Sequence, residues 1–409
     1  MAMGSLMELL DIAILSVLVF SYVLISARLE KTPWTSAILF TGLGWLLGPT
    51  LLDLIRFQGD LEHLKELAEL TLALVLFSDA ASANRSALGK YKSLPLRLLL
   101  LGLPATVALG MAAAFLLFPD LHWVSIGLLA VLLAPTDAAL GKAVIVSPDV
   151  PVQVKESLNV ESGLNDGICV PAMLFLLMLD PSASASDLVG QFSTLLVREL
   201  GIGLLVGCAL AWVGSQGMRI AQKKKTISTD WQRLCLPALA FSCYSIAQLL
   251  EGSGFIASFC GGMLYGFLDR RHDEENLLST ETMGNVFAMF TWMAYGALIV
   301  GHYWQDFRWQ ILAYALLSLT LIRMLPVALS LIGTSLTVTE KLFVGWFGPR
   351  GLASVVFGMQ IFFSEVDAKQ EIILCFATTV TLSILLHGLS AKPFIRFLGS
   401  TPPSSAGNT

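Results

Sequence analysis

Thirteen apolar stretches punctuate the chain, at about 7–26, 34–52, 66–83, 95–118, 123–142, 158–179, 188–218, 232–250, 253–268, 283–301, 309–333, 341–362 and 371–391. Most are long enough to approach the ~20 residues that a membrane-spanning helix needs. Their apolar positions run around the whole helix and not along one stripe, as expected where neighbours and lipid are both apolar. Several connections are short, such as those at Pro119-Asp120 and Gly252. Short connections make consecutive spans antiparallel neighbours. The pattern predicts an all-α polytopic membrane protein with about 13 transmembrane helices. A single transmembrane unit would fill residues 1–397, and 398–409 would form a disordered cytoplasmic tail.

Composition agrees. Of 409 residues, 55% are hydrophobic and 13% charged, against about 25% charged in a soluble domain. Mean hydropathy is +0.74. A water-soluble enzyme is thereby excluded, and the absence of a basic stripe argues against nucleic acid as a partner. Six cysteines lie in apolar runs without a C-x-x-C pair, so they read as small buried hydrophobes. Glu8 and Asp11 near the start make the first run a span and not a cleaved signal peptide.

Charge sidedness orients the chain. Arg56, Lys65, Arg308 and Lys369 fall on one side of the alternating spans, and Arg198, Arg323 and Arg350 fall inside apolar segments. The other eighteen Lys and Arg share the side of the C-terminus, which places the N-terminus outside and the C-terminus in the cytoplasm. The run Lys223-Lys224-Lys225 reads as part of this topology signal.

A charge inside the bilayer costs at least about 2.5–3.5 kcal/mol and therefore asks for a reason. Asp79 ends the third span, Asp137 lies in the fifth, Glu161 and Asp166 in the sixth, Arg323 in the eleventh and Arg350 in the twelfth. In Glu161-Ser162-Gly163-Leu164-Asn165-Asp166, Ser162 and Asp166 share a helix face. Glu161 and Asp166 point about 140° apart, so the two carboxylates can hold different jobs.

Two spans are interrupted. The fifth contains Ala134-Pro135-Thr136-Asp137 and the twelfth Gly348-Pro349-Arg350-Gly351. Proline frees carbonyls that are tolerated at membrane depth only where protein or a cavity satisfies them. Spans seven apart in order run in opposite directions. The pattern points to two inverted-topology repeats, 7–179 and 232–391, joined by the span 188–218, with interrupted, crossing helices at a midplane site. Glu161 is the natural partner for Arg350. Asp166 then keeps no obvious permanent cation. Burial favours its protonated form and a nearby Na+ its ionised form, so proton and cation compete for one group. Hard cations want oxygen ligands, which Ser162, Thr136, Asp79 and unwound carbonyls offer.

At these residues the sequence resembles the NhaP/NHE-type monovalent cation/proton antiporters. The resemblance rests on Glu161-Ser-Gly-Leu-Asn165-Asp166, Thr136-Asp137, Gly-Pro-Arg350-Gly, Gly252-Ser-Gly-Phe-Ile-Ala-Ser-Phe-Cys-Gly-Gly and Leu386-His387-Gly388-Leu, in the family's order over most of the chain. It implies a thirteen-span homodimer in which a core domain moves against a dimerisation domain. It implies that Asp166 carries the ion or proton, with Thr136 offering its carbonyl and Ser162 its hydroxyl to Na+. Asn165 and Asp137 would brace the site, and Glu161 would pair with Arg350. Asparagine before the aspartate resembles electroneutral exchangers, one cation per proton. The implied activity is exchange of Na+, with Li+ and K+ as alternatives, for H+ across the plasma membrane by alternating access in pH homeostasis. No cofactor is implied. The sequence departs from the family at Ala138 after Thr-Asp, Pro349 before the arginine and Asp79 where a glutamate is common.

Two other classes compete. A cation channel would need a filter-like repeat or acidic ring, and neither stands in the sequence. A polytopic membrane enzyme would need a nucleophile–base pair or a histidine cluster, whereas the five histidines are scattered. Gly254, Gly261, Gly262 and Gly266 read as close helix packing and not as a nucleotide loop.

Overall fold

The computed structural model describes residues 2–29, 31–57, 61–82, 92–137, 140, 144, 147–179, 185–268, 274–303 and 308–399. Among these, fourteen helices of nine residues or more follow one another: α1 (Ala2–Leu29), α2 (Ser36–Leu47), α3 (Leu61–Ser82), α4 (Ser93–Leu117), α5 (Trp123–Leu132), α6 (Val152–Met178), α7 (Ala185–Lys223), α8 (Cys235–Leu249), α9 (Gly254–Leu268), α10 (Glu274–Ala294, continued through Tyr295–Val300), α11 (Trp309–Ser330), α12 (Val338–Trp346), α13 (Leu352–Phe363) and α14 (Lys369–Gly399). Every apolar stretch read from the sequence contains a helix. The thirteen stretches give fourteen helices because the twelfth is split into α12 and α13. Seven helices are long and apolar enough to cross a membrane uninterrupted, namely α1, α4, α6, α7, α10, α11 and α14. Four shorter apolar helices, α2, α5, α9 and α13, join them. The expected tail lies outside the described residues from 400 onward, while α14 itself runs to Gly399.

Local signals set several boundaries. Thr35 caps α2 by accepting from the Ile38 amide at 3.3 Å. Thr337 and Glu340 form a reciprocal capping box at α12, with the Thr337 amide donating to Glu340 Oε2 at 2.7 Å. Two helices, α4 and α10, pass through a π turn, at Leu98–Gly102 and Tyr295–Val300. Many large apolar side chains on α1 and α7 are exposed, among them Val17, Phe20, Leu24, Val197 and Leu205. Such a surface suits lipid and not water.

The chain packs as two compact units. One holds α1, α2, α4, α5, α6 through Ser162, α10 from Ala288, and α11 to α14. Part of its core gathers Leu98, Val154, Leu158, Val327, Phe343, Phe347 and Ile395. The other holds α3 from Glu69, α6 from Gly163, α7 to α9, and α10 through Phe287. Its core gathers Leu74, Phe77, Ala211, Leu236, Ala240, Cys243, Ala257 and Tyr265.

Within this second unit α9 lies backbone to backbone on its neighbours. A Cβ at Gly262 would stand 2.2 Å from the Phe77 carbonyl oxygen, and one at Gly266 would stand 2.3 Å from that of Ala81. A Cβ at Gly207 of α7 would stand 2.2 Å from the Ala257 oxygen. Gly262 and Gly266 are four apart, the small-xxx-small spacing by which membrane helices approach closely. The glycines are therefore packing residues. Gly262→Val is expected to cost about 1–3 kcal/mol or more through overpacking. It should lower the unfolding temperature in detergent. Gly217→Ala is the matched control, since a Cβ there meets nothing within 4 Å.

Candidate functional site

The site is built from two breaks in the first unit. After Leu132, the buried residues Ala134, Pro135, Thr136 and Asp137 leave the helical path. Pro135 lacks an amide donor and disfavours the α conformation at Ala134. Between α12 and α13, residues Phe347 to Gly351 are likewise buried and non-helical. The second interruption read from the sequence is present, and at the first α5 ends at Leu132, the rest of the expected span 123–142 lying mostly outside the described residues.

The two breaks hold each other. The Asp137 amide donates to the Pro349 carbonyl at 2.8 Å. In return, the Leu352 amide donates to Asp137 Oδ2 at 2.7 Å, which puts a carboxylate on the first turn of α13. An anion at a helix N-terminus satisfies an orphan amide and complements the helix dipole. The other oxygen of Asp137 accepts from the Leu140 amide at 3.3 Å. The first break is tied further by Ser354, whose hydroxyl donates to the Leu132 carbonyl at 3.1 Å.

Arg350 is fully buried, at 0% exposure. Its Nη1 donates to the carbonyls of Ala134 at 2.7 Å and Pro135 at 3.1 Å, and its Nη2 to that of Ser318 at 3.4 Å. The arginine of the second break therefore satisfies carbonyls that the first break frees. Its own amide donates to Ser383 Oγ of α14 at 2.7 Å.

Here the structure corrects the sequence reading. Glu161 does not pair with Arg350. It is held by Arg323 of α11 in a bidentate pair, with Nη1–Oε1 at 2.5 Å and Nη2–Oε2 at 2.8 Å. Both side chains are buried, at 1% and 2% exposure. The physical reason is that the Arg350 guanidinium lies against unwound carbonyls, whereas Arg323 lies on a helix whose carbonyls are mostly engaged. The forked carboxylate suits the forked guanidinium that is left.

The glycines of Gly-Pro-Arg-Gly follow from these contacts. A Cβ at Gly348 would stand 2.5 Å from Arg323 Nε and 2.9 Å from Thr136 Cγ2. One at Gly351 would stand 1.9 Å from Asp137 Oδ2. Gly348 makes room for the arginine and Gly351 for the capping carboxylate.

Helix α6 brings its polar face to the first break through Ser162, whose hydroxyl donates to the Thr136 carbonyl at 2.5 Å. Asn165 and Asp166 follow within one turn of the same helix, in the portion assigned to the second unit, and both are buried, Asp166 at 5% exposure. Asp79 is half-buried near the end of α3 in that second unit. The structure thus joins Ser162, Thr136, Asp137 and Arg350 in one bonded group, places Glu161 on Arg323, and sets Asn165 and Asp166 one turn along α6. Among the described residues no cluster of three or more His, Cys, Asp or Glu side chains is arranged to hold a metal ion. The polar atoms gathered at the breaks are backbone carbonyls and amides, hydroxyls and single carboxylates.

The sequence reading missed Arg323 as the partner of Glu161, and missed Ser318, Ser354, Ser383 and His387 as bracing groups. Serines in apolar helices are common and carry little individual signal. A count of freed carbonyls at Pro135 and Pro349 against available donors would have pointed to Arg350 as a carbonyl ligand.

Two buried, unwound segments that bond to each other, with seven membrane-length helices among the described residues, define a polytopic membrane transporter architecture. The chain belongs to the sodium/hydrogen exchanger family: the family model described as "Sodium/hydrogen exchanger, transmembrane" matches residues 14–397. It is an integral membrane protein. It is similar to a Na(+)/H(+) antiporter of Schizosaccharomyces pombe, 28% identical over 263 residues that make up 59% of this chain and 54% of that one. The K(+)/H(+) antiporter NhaP of Alkalimonas amylolytica is 25% identical over 98% of this chain and 69% of its own. The Na(+)/H(+) antiporter NhaH of Halobacillus dabanensis is 28% identical over 72% and 73%. The chain thus spans about half the length of the S. pombe relative. Its fold is that of the sodium proton antiporter MjNhaP1 from Methanocaldococcus jannaschii, with a TM-score of 0.77 at 21% identity, over 97% of this chain and 100% of that one.

Breaking the buried pair from either side should be severe. Glu161→Ala or Arg323→Ala alone is expected to cost about 3–5 kcal/mol by leaving one charge uncompensated. The double replacement Glu161→Leu with Arg323→Met should regain most of that loss. Thermal unfolding in detergent reads both, and additive losses would contradict the pairing.

Proposed function

We infer that the chain is a secondary transporter that exchanges Na+ for H+ by alternating access, with both ions competing for Asp166. The observation that carries this reading is the placement of Asp166. It is a buried carboxylate one helical turn from Ser162, whose hydroxyl is bonded to the Thr136 carbonyl in the first break. A buried acid is stabilised by either a proton or a cation, and holding both is unfavourable. Ser162 and Thr136 carry hard oxygen atoms of the kind that a small cation takes. Asn165 cannot titrate, which supports one cation per proton and electroneutral turnover. Asp137, Glu161 and Arg350 act as bracing groups, and Asp79 is an additional acidic candidate ligand.

The relatives include antiporters named for Na+ and for K+, so K+ is the principal alternative cargo. The Lys and Arg asymmetry supports a plasma-membrane orientation with the N-terminus outside and the C-terminus in the cytoplasm. The exposed apolar faces of α1 and α7 suit lipid and a second copy of the chain, which agrees with a homodimer. A channel is disfavoured because a break sealed by Arg350 and Asp137 leaves buried backbone satisfied by protein and not by a continuous column of water.

The test is transport in proteoliposomes under an imposed pH gradient. Asp166→Asn should abolish exchange while the protein keeps its wild-type unfolding profile. Undiminished flux would reject the site. Competition also fixes a sign: below the pKa of the shared acid, each unit fall in pH should raise the apparent KM for Na+ by up to about tenfold while the maximal rate is recovered at high Na+. Turnover that changes under a clamped voltage would reject the electroneutral stoichiometry.

A further inference from the structure

His387 of α14 is buried, at 3% exposure, and lies beside the break between α12 and α13. Its Nε2 is 2.8 Å from the Trp346 carbonyl, at the last residue of α12. Its Nδ1 is 3.1 Å from Ser383 Oγ and 2.9 Å from the Ser383 carbonyl, one turn earlier on its own helix. The same Ser383 Oγ accepts from the Arg350 amide at 2.7 Å. Trp346 is itself fixed, since its indole Nε1 donates to Ser390 Oγ at 2.9 Å.

The partners determine the tautomer. A carbonyl oxygen only accepts, so Nε2 must carry a hydrogen to bond Trp346. Nδ1 has one neighbour able to donate, the Ser383 hydroxyl, whose oxygen is already accepting from Arg350. A neutral ring protonated at Nε2 donates to the Trp346 carbonyl and accepts from the Ser383 hydroxyl, with its Nδ1 lone pair also near the Ser383 carbonyl at 2.9 Å. The opposite neutral tautomer would set a lone pair against the Trp346 carbonyl at 2.8 Å and gain no O–H donor. An imidazolium would be a buried charge with no carboxylate among its hydrogen-bond partners. The resulting chain runs Arg350 N–H to Ser383 Oγ–H to His387 Nδ1, then His387 Nε2–H to the Trp346 carbonyl.

That chain begins and ends on the same short unwound segment. Trp346 precedes the break and Arg350 lies within it. The Trp346 carbonyl also accepts from the Gly348 amide at 2.8 Å, whereas the buried Arg350 amide is bonded to Ser383 Oγ and would be an orphan without it. We propose that His387, as a neutral Nε2–H imidazole relayed through Ser383, is a positioning residue that clamps the ends of the 347–351 break and thereby aims Arg350 at the carbonyls of the first break. Its importance for exchange rests on the function inferred above, but its clamping role does not. The ring acts as a fixed spacer with an acceptor on one edge and a donor on the other. It is not a transported-proton site.

The test compares His387→Gln, His387→Leu and Ser383→Ala in the full chain reconstituted in lipid. Glutamine can still donate to the Trp346 carbonyl and cannot titrate, whereas leucine fills space without hydrogen bonds. Two quantities are measured: deuterium exchange of the backbone amides of residues 347–351, which needs no transport, and the pH profile of cation-driven proton flux. His387→Leu and Ser383→Ala should speed amide exchange and slow turnover by about tenfold or more, the scale of one lost buried hydrogen bond. His387→Gln should stay within about threefold of wild type in both, with the acid limb of its pH profile unmoved. Ser383→Ala, the smaller change, carries the test if His387→Leu does not fold. Wild-type amide protection in His387→Leu or Ser383→Ala would overturn the clamp. A displaced acid limb in His387→Gln would overturn the neutral form. Absence of flux in the wild-type chain, with the amide results as expected, would count against the exchange reading and leave the clamp standing.

Discussion

Backbone polar groups inside a bilayer must find partners within the protein, and the site follows from how two unwound segments meet that demand. Each segment supplies what the other lacks. The break after α5 exposes the carbonyls of Ala134 and Pro135, and Arg350 of the other break donates to both. The break before α13 exposes the Leu352 amide, and the Asp137 carboxylate accepts from it. A main-chain bond from Asp137 to Pro349 closes the pair. One cation and one anion are thus buried at the breaks, each bonded to backbone. Each neutralises the partial charges of unwound backbone, a use of charge that a dry interior strengthens.

This exchange of partners leaves little freedom in the surrounding sequence. Prolines at 135 and 349 stop the helices. Glycines at 348 and 351 admit the Arg323 guanidinium and the Asp137 carboxylate, whose positions any side chain would invade. Because Arg350 is spent on carbonyls, Glu161 requires a different cation, and Arg323 provides it in bidentate form. The Glu161–Arg323 pair is therefore a consequence of the break geometry. Glu161 and the acid at 166 stand on different faces of α6, as their helical angle requires.

Much of this was legible in the residues. Apolar runs located every long helix because the period of burial hardly matters when lipid and core are equally apolar. Pro135, Pro349 and the adjacent glycines located both interruptions. The sequence also separated Glu161 from Asp166 by helical angle. It could not assign partners. Three arginines, several carboxylates and several serines all lie within apolar segments, and pairing them needs the third dimension. The choice of Arg350 for Glu161 failed because it counted charges and not freed carbonyls. Ser354 and Ser383 carried no signal, since a serine in an apolar helix ordinarily bonds its own preceding turn, and Ser318 takes part through its backbone carbonyl, which any residue would supply. His387 was visible as a polar residue in the last span, but its two partners lie at positions 346 and 383, and only one of them is on its own helix.

The bond between Ser162 and Thr136 gives the first break a further partner. At 2.5 Å the hydroxyl satisfies the Thr136 carbonyl from within the protein. An unwound carbonyl that waited for a cation with no interim partner would cost about 1–3 kcal/mol whenever the cation left. With the hydroxyl in place that cost is removed. On the exchange reading, an arriving cation needs only to turn the Ser162 proton aside to meet two oxygen atoms at once, while the braces through Arg350, Asp137 and Arg323 stay intact. On that reading, the interim bond narrows the free-energy gap between the loaded and unloaded forms. A carrier that must release its cargo on the far side requires a narrow gap, because binding far tighter than the working ion concentration would halt the cycle at the loaded state.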